Sequence, residues 1–218
     1  MENDKETSAN SVDISIDNTP KEKRVLRKKE DLKKFFYPHD IQKILAVANE
    51  RQAYNILVLL NTGARINEAR NITRQDLDMM RNNITLRVTK VRAELGEKKP
   101  DPRTIPVSTK FFRYLKKNVE NHQELFYTTS AFRKMLQSLC KQANVKDVKE
   151  YSPHNIRKTF GTWMLSLGVD GFKLAQHLGH SPEMLRTHYA SPDIFIQEDK
   201  DRMRELLDDL PSRMRYTN

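Results

Sequence analysis

Apolar side chains along this chain recur mainly three and four residues apart, which is the spacing of amphipathic helices. Ser152-Pro153 and Ser181-Pro182 mark helix starts, since serine caps a helix and proline fits its first turn. Glycines that follow apolar segments mark helix ends. The pattern predicts helices over residues 40–50, 53–60, 65–70, 108–119, 130–143, 153–167, 170–178 and 181–189.

Two short segments have the pattern of strands instead. Residues 84–91, ITLRVTKV, alternate apolar with polar or basic side chains, and residues 103–107, RTIPV, form a second short strand. The intervening RAELGEKKPDP is charged and contains glycine and proline, which is typical of a loop. The predicted fold class is therefore mainly α with a small antiparallel β-hairpin or sheet (α+β).

Changes in composition divide the chain into four parts. Residues 1–20 are acidic and polar and predict a disordered tail, while residues 21–36 are strongly basic and predict either an arm that lies along phosphates or a solvated linker. Residues 37–191 have globular patterning. Residues 192–218 predict a C-terminal amphipathic helix and tail, with an apolar stripe formed by Met203, Leu206, Leu207 and Leu210.

The charge of the chain indicates the kind of partner it meets. The 218 residues carry a formal net charge of +10 and a pI of about 9.6, which favours a polyanion, nucleic acid first, over a basic surface without a partner. Cys140 is the only cysteine, so no intrachain disulfide forms and a reducing compartment is expected. Neither a signal peptide nor an apolar run of about 18 residues is visible, so we expect a cytoplasmic protein without a membrane partner.

Several polar residues have side chains suited to a phosphate. His154 and Arg157, in HNIR, lie three residues apart and so project from the same side of one helix. Arg65, in TGARINEARNI, starts another helix, and Glu68 is placed to hold its guanidinium. Taken alone, the first pair is more typical of an ordinary helix surface, and the second is more typical of a surface ion pair, than of a phosphate site.

Taken together, these residues match the needs of phosphodiester cleavage. Two arginines would neutralise the non-bridging oxygens and the charge of the pentacoordinate transition state. A tyrosine oxygen would attack phosphorus, and because a phenol leaves more readily than an alkyl alcohol the reaction would be reversible. Lysine would protonate the leaving oxygen, and histidines would share the proton transfers.

A metal ion or cofactor is not expected. His177 lies three residues before His180, with His188 nearby, and such a cluster suggests a metal site, but no fourth ligand is evident. The chain has neither an HExxH motif nor a Walker loop. The predicted chemistry uses side chains alone.

The stretches TGARINEARNI, HNIRKTFGTWML and LGHSPEMLRTHY, in this order, resemble the tyrosine recombinase (phage integrase) family, which includes Cre and the Xer recombinases. The resemblance covers roughly residues 37–190 and implies the catalytic domain of that family. The active-site set that it implies consists of Arg65 and Arg157 as paired phosphate ligands, His154 and His180 as the histidines, Lys90 as the hairpin lysine and Tyr189 as the nucleophile.

Three features depart from the family pattern. Lys158 follows the HxxR arginine where many relatives have histidine. The hairpin is longer than in simple Xer-like members, so Lys98 or Lys99 competes with Lys90 for the role of general acid, with Lys90 favoured by its strand position. About 36 residues precede the catalytic domain, which is too few for the family's separate helical core-binding domain.

The resemblance implies a site-specific recombinase or integrase that forms a 3′-phosphotyrosyl intermediate without metal or ATP. The alternatives are a type IB topoisomerase-like DNA relaxer and a non-catalytic DNA-binding relative. The implied partner is double-stranded DNA, on which the chain forms a homo-tetramer, with a monomer in solution as the alternative state away from DNA; no small-molecule substrate is implied. The implied setting is a prokaryotic host cell, with the gene carried by a virus, plasmid or integrated element. The C-terminal stripe then either packs on its own domain or docks on a neighbouring protomer.

Overall fold

The computed structural model describes residues 35–87, 102–146, 148–188 and 194–214. Its elements follow the order predicted from the helical and alternating patterns, with short 3-10 turns at Arg74–Asp76, Val119–Asn121 and Val148–Glu150. The helices are α1 Pro38–Val47, α2 Glu50–Thr62, α3 Ile66–Arg70, α4 Thr109–Asn118, α5 His122–Leu125, α6 Thr129–Gln142, α7 Pro153–Ser166, α8 Gly171–Leu178, α9 Pro182–His188, α10 Gln197–Leu207 and α11 Leu210–Arg213. The strands are β1 Leu77–Asp78, β2 Asn83–Leu86 and β3 Arg103–Pro106.

Within these described residues the strands form a three-stranded antiparallel sheet in the order β1-β2-β3. Ile84 pairs with Ile105 in the centre, and both side chains are fully buried. The predicted mainly helical fold with a small antiparallel sheet is thus confirmed. Strand β1 was not predicted, because a two-residue strand carries no alternation to detect. The described part of the first predicted strand ends at Leu86, and residues 88–91 lie outside the described ranges.

The boundary between the first two helices was wrong in the sequence-based prediction. The predicted helix over 40–50 ends at Val47, and the next begins at Glu50 instead of residue 53. Asn49 causes the division: its side chain accepts a hydrogen bond from the Gln52 amide at 3.0 Å, and the Gln52 side chain accepts one from the Asn49 amide at 2.9 Å. This reciprocal capping box starts α2 and satisfies two backbone donors.

Helices α2 and α7 pack against each other in the middle of the domain. Trp163 and Phe160 of α7 are fully buried, and the Trp163 indole nitrogen donates to the Phe36 carbonyl at 3.0 Å. Gly63 caps the end of α2 with a φ of +59°, and a Cβ there would come within 2.4 Å of the Phe160 ring. Only glycine allows both this backbone turn and this close approach.

The C-terminal stripe packs on its own domain in this structure. Helix α10 contacts α1 and α7, and the side chains of Met203, Leu207 and Leu210 are fully buried. Asp209 accepts hydrogen bonds from both the amide and the hydroxyl of Thr109, each at 2.8 Å, and so fixes this segment to the start of α4. None of the helices in the described ranges has the length and apolar character that a membrane crossing requires.

Alanine at Gly63 is expected to destabilise the domain by at least ~3 kcal/mol, because it combines backbone strain with a collision in the core. Gly168→Ala provides the matched control, since Gly168 also has a positive φ of +82° but, among the described residues other than its chain neighbours, no atom lies within 4 Å of a Cβ added there. That control should lose only about 1–2 kcal/mol. Urea unfolding of both variants measures the difference, and equal losses would contradict the assigned collision.

Candidate active site

A cleft of about 190 Å³ lies where α3, α6 and α7 begin. Three of the sequence-predicted site residues, Arg65, His154 and Arg157, line it together although they come from two distant segments. The complete lining is Ala64, Arg65, Ile66, Thr129, Arg133, Ser152, Pro153, His154 and Arg157. The cleft therefore presents three arginines and a histidine, which makes it suited to an anionic group.

The start of α7 places His154 and Arg157 in this cleft. Asn155 accepts hydrogen bonds from the Ser152 amide at 2.9 Å and from the Ser152 hydroxyl at 2.8 Å, which fixes the first turn of the helix. Pro153 occupies its first position, as the sequence predicted. His154 is exposed at the cleft, while Arg157, one turn later, is only 1% exposed.

Two helix ends hold the buried Arg157 guanidinium. Its Nη1 donates to the Gly63 carbonyl at 2.8 Å, and its Nη2 donates to the Leu178 carbonyl. Both carbonyls lie at helix C-termini, where the backbone dipole favours a cation. Nη2 also lies 2.8 Å from Nε2 of His180. Because arginine has only donors, Nε2 of His180 accepts this bond and the neutral ring carries its proton on Nδ1.

Glu68 joins the arginines of the site into one cluster. Its buried carboxylate accepts from Arg65 Nη1 at 2.9 Å and from the Arg65 amide at 2.9 Å, as expected from their spacing. Arg157 Nη1 lies 3.9 Å from the same carboxylate. Burial alone raises the pKa of Glu68, but the hydrogen bonds and charge of Arg103, followed by the bonds from Arg65, outweigh burial and lower the pKa to about 2. The carboxylate is therefore ionised throughout the ordinary pH range.

Arg103, at the start of β3, is the member of the cluster that the sequence analysis missed. It binds Glu68 with both terminal nitrogens, at 3.1 Å and 2.7 Å, and its Nε donates to the His177 carbonyl at 2.8 Å. Its side chain is only 14% exposed. The available signal was its alternation with Ile105 and Val107, both buried, which places Arg103 on the inward face of the strand.

His177 has a structural environment. Its Nε2 lies 2.8 Å from the Thr62 carbonyl and so donates to it, and its ring stacks on Phe160 with 5.0 Å between centroids. The pKa of His177 is lowered to about 3, mainly by burial; the hydrogen bond to Thr62 opposes this shift, and the positive charges of Arg103 and Arg157 add to it. The ring is neutral and directed into the core, so the metal-ligand reading of His177 has no support from its contacts.

The remaining sequence-predicted residues lie outside the part of the chain that the structure describes. They are Tyr189 and the three lysine candidates, Lys90, Lys98 and Lys99. Helix α9 ends at His188, immediately before Tyr189 in sequence. The structure thus brings together Arg65, His154, Arg157 and His180, and leaves the assignments of the nucleophile and the general acid as predictions.

The fold is that of a tyrosine recombinase catalytic domain, as comparison with solved structures shows. The XerA recombinase superposes with a TM-score of 0.58 at 22% identity, over 84% of this chain and 64% of that one. The XerH site-specific recombinase bound to its palindromic difH substrate superposes with a TM-score of 0.57 at 18% identity, over 80% of this chain and 52% of that one. The Tn1549 transposon integrase in complex with a circular intermediate DNA superposes with a TM-score of 0.55 at 20% identity, over 77% of this chain and 62% of that one.

Residues 34–193 match the phage integrase family, and the chain belongs to that family. Among curated proteins, tyrosine recombinase XerC of Staphylococcus aureus (strain JH9) is 26% identical in an alignment 179 residues long, and the match covers 71% of this chain. The match covers 55% of that relative, so the chain spans about half the length of the curated recombinases that it resembles.

Replacing His177 with glutamine is expected to flatten the dependence of stability on pH in acid. An unfolded histidine titrates near pH 6.5, whereas the folded pKa of His177 is about 3. Between these values the unfolded chain binds a proton that the folded chain does not, so stability present above pH 6.5 is lost as the pH falls toward 3. From pH 7 to 4.5 this group removes about 3 kcal/mol.

His177→Gln keeps a donor for the Thr62 carbonyl but removes the titration. Urea unfolding at pH 7 and pH 4.5 gives the loss on acidification for the parent and the variant, and any constant effect of the smaller side chain cancels in that difference. An unchanged loss in the variant would show that His177 is not responsible.

Proposed function

We propose that this chain cuts and rejoins DNA at a phosphodiester, with Tyr189 as the nucleophile. The observation that carries the proposal is the convergence of Arg65, His154 and Arg157 on one cleft, with His180 hydrogen-bonded to Arg157. A scissile phosphate in that cleft would meet two guanidinium groups on its non-bridging oxygens. Because the pentacoordinate transition state carries more negative charge than the ground state, these groups favour it selectively.

The two arginines would contribute in different ways. Arg157 is held by backbone carbonyls and acts as a fixed cation beneath the cleft. Arg65 is 47% exposed, and its hydrogen bond to Glu68 engages Nη1, so it presents the rest of its guanidinium to the cleft. A substrate phosphate would therefore interact with the fixed charge of Arg157 and with the accessible hydrogen-bond donors of Arg65.

The proposed reaction is a transesterification in which the bonds to phosphorus are exchanged one for one. The Tyr189 oxygen forms a bond to phosphorus while the bond to the 5′ oxygen breaks, which leaves a 3′-phosphotyrosyl link and a free 5′-hydroxyl. The phenolic proton passes to a histidine of the site, and a lysine ammonium supplies the proton of the 5′-hydroxyl. The 5′-hydroxyl of a partner strand reverses the step, so the proposed cycle consumes no ATP and uses no metal.

The comparisons support this reading at the level of family and fold. The named relatives are tyrosine recombinases, and the XerH and Tn1549 structures contain DNA. By extension we propose double-stranded DNA as the partner, a homo-tetramer as the assembly that exchanges strands, and the cytoplasm of a prokaryotic host as the setting. The net charge of +10 agrees with binding to a polyanion.

Covalent trapping tests the nucleophile. A DNA suicide substrate nicked beside the cleavage position releases a short 5′-hydroxyl fragment, so the phosphotyrosyl complex accumulates. We expect a protein–DNA adduct on a denaturing gel from the parent chain and none from Tyr189→Phe, with the DNA affinity of the two unchanged. Pooled sequences are required because the target site is unknown.

The outcomes separate the candidate functions. A parent chain that binds the same DNA but forms no adduct would reject strand cleavage and favour a DNA-binding relative. An adduct accompanied by supercoil relaxation without recombinant product would favour a topoisomerase-like relaxer.

A bridging phosphorothiolate identifies the general acid among the lysines. A thiolate leaving group has a pKa far below that of an alkyl alcohol and needs no protonation. We expect Lys90→Ala to slow cleavage of ordinary DNA by roughly 100-fold or more and to cleave the 5′-thio substrate at nearly the parent rate.

Lys98→Ala and Lys99→Ala are the matched controls, since they remove the same charge from the same segment. If one of these variants, instead of Lys90→Ala, is rescued by sulfur, the assignment moves to that residue. A loss that sulfur does not restore in any variant would contradict a lysine general acid in this segment.

A further inference from the structure

The cluster around Glu68 contains one arginine that does not line the cleft. Arg103 does not line the cleft, yet it forms a bidentate ion pair with Glu68, with nitrogen–oxygen distances of 3.1 Å and 2.7 Å. Its contact with Glu68 uses both terminal nitrogens, whereas Arg65 uses one. Arg103 therefore binds Glu68 without lining the cleft itself.

Arg103 sets how strongly Glu68 holds the arginines of the cleft. Oε1 of Glu68 accepts from both Arg65 and Arg103, at 2.9 Å and 3.1 Å. If Arg103 were removed, a buried carboxylate would be left with Arg65 as its nearest cation and Arg157 3.9 Å away. Buried charges draw in their remaining partners strongly because the surrounding dielectric is low. With its oxygens no longer engaged by Arg103, Glu68 could accept a second bond from the Arg65 guanidinium, which would turn that group away from the cleft.

Arg103 also supports the turn that carries His180. Its Nε donates to the His177 carbonyl at 2.8 Å, in the last turn of α8. Its guanidinium lies against Gly179, where an added Cβ would come within 3.4 Å of the Cζ and Nη1 atoms of Arg103. Gly179 has a φ of +64° and immediately precedes His180, so a shift of Arg103 is transmitted directly to this turn.

Arg103 further connects the cluster to the segment that contains the lysine candidates. It opens β3, whose register with β2 pairs it with Leu86. Residues 88–101, between those two strands in sequence, include Lys90, Lys98 and Lys99. The ion pair with Glu68 thus fixes one end of that segment relative to the arginines of the cleft.

We propose that Arg103 is a positioning residue for the phosphate site: by binding Glu68 and the His177 carbonyl it keeps Arg65, Arg157 and His180 in place. This inference rests on the proposed DNA cleavage. Lysine does not replace arginine here, because a single ammonium cannot bridge both carboxylate oxygens and the His177 carbonyl in one plane.

A double-mutant cycle tests whether Arg103 acts through Glu68. Single-turnover cleavage of the suicide substrate is measured at saturating DNA for Arg103→Gln, Glu68→Gln and the combined variant. We expect Arg103→Gln to lower the saturated rate by roughly 100-fold with little change in the DNA concentration at half-saturation. The combined variant should be no slower than Glu68→Gln, since the charge that Arg103 restrains is then absent.

Two further variants define what the loss means. Arg103→Lys should remain far below the parent rate although it keeps the positive charge. Arg74→Gln is the control: it removes another arginine–glutamate pair, 66% exposed on both sides and 2.9 Å long, and should cleave at the parent rate. Two results would overturn the inference. In one, the rate of the combined variant falls by the product of the two single losses; in the other, Arg103→Gln cleaves at the parent rate.

A measurement without catalysis separates this inference from the proposed function. The Nε–H resonances of Arg65 and Arg157 and the ring resonances of His180 are compared between the folded parent and its variants by NMR. We expect Arg103→Gln to move these signals and Arg74→Gln to leave them in place. Unmoved signals in a folded Arg103→Gln would overturn the positioning role. Absence of an adduct from the parent would reject DNA cleavage, while the NMR result would still decide whether Arg103 positions the cluster.

Discussion

The buried carboxylate of Glu68 is the interaction on which the site depends. Three guanidinium groups, from Arg65, Arg103 and Arg157, lie within ion-pair distance of it. Arg103 and Arg157 are largely buried, and without the carboxylate between the three arginines their mutual repulsion and the cost of burying charge would drive them apart and toward water. One carboxylate does not neutralise three arginines, so the cluster keeps an excess of positive charge beside the cleft. The same arrangement that makes burial of the arginines tolerable leaves positive charge available for the phosphate of the proposed reaction.

Helix ends supply the second part of this arrangement. The carbonyls that bind Arg157 and Arg103 come from Gly63, Leu178 and His177, which lie at the C-terminal ends of α2 and α8. These carbonyls have no partner within their own helices and carry partial negative charge, so they favour arginine. The left-handed turns at Gly63 and Gly179 end these helices, and the three carbonyls lie beside the guanidinium groups of Arg157 and Arg103. Packing of the helices and binding of the arginines therefore depend on each other.

The sequence predicted the local parts of this site and not the long-range part. Arg65 and Glu68 lie three residues apart, and Ser152-Pro153 starts the helix of His154 and Arg157, so periodicity and capping were sufficient. Arg103 is 35 residues from Glu68, and their contact exists only because β3 packs against α8. The only local indication in the sequence was that Arg103 alternates with the apolar residues Ile105 and Val107, which placed it on the inward face of the strand. Asn49 gave a comparable signal through its capping box with Gln52, which periodicity over residues 40–50 concealed.

The difference in exposure between the two cleft arginines bears on how such a site favours a transition state. In the proposed reaction, Arg157, 1% exposed and held by backbone carbonyls, would act on the phosphate from a fixed position without reorganisation. Arg65, 47% exposed, would have more freedom to follow the proposed change of the phosphate from tetrahedral to bipyramidal. The hydrogen bonds between Arg65 and Glu68 would limit that movement, and Arg157 lies 3.9 Å from the same carboxylate. In the proposed site, preorganisation and adjustment would therefore belong to different residues that share one buried negative charge.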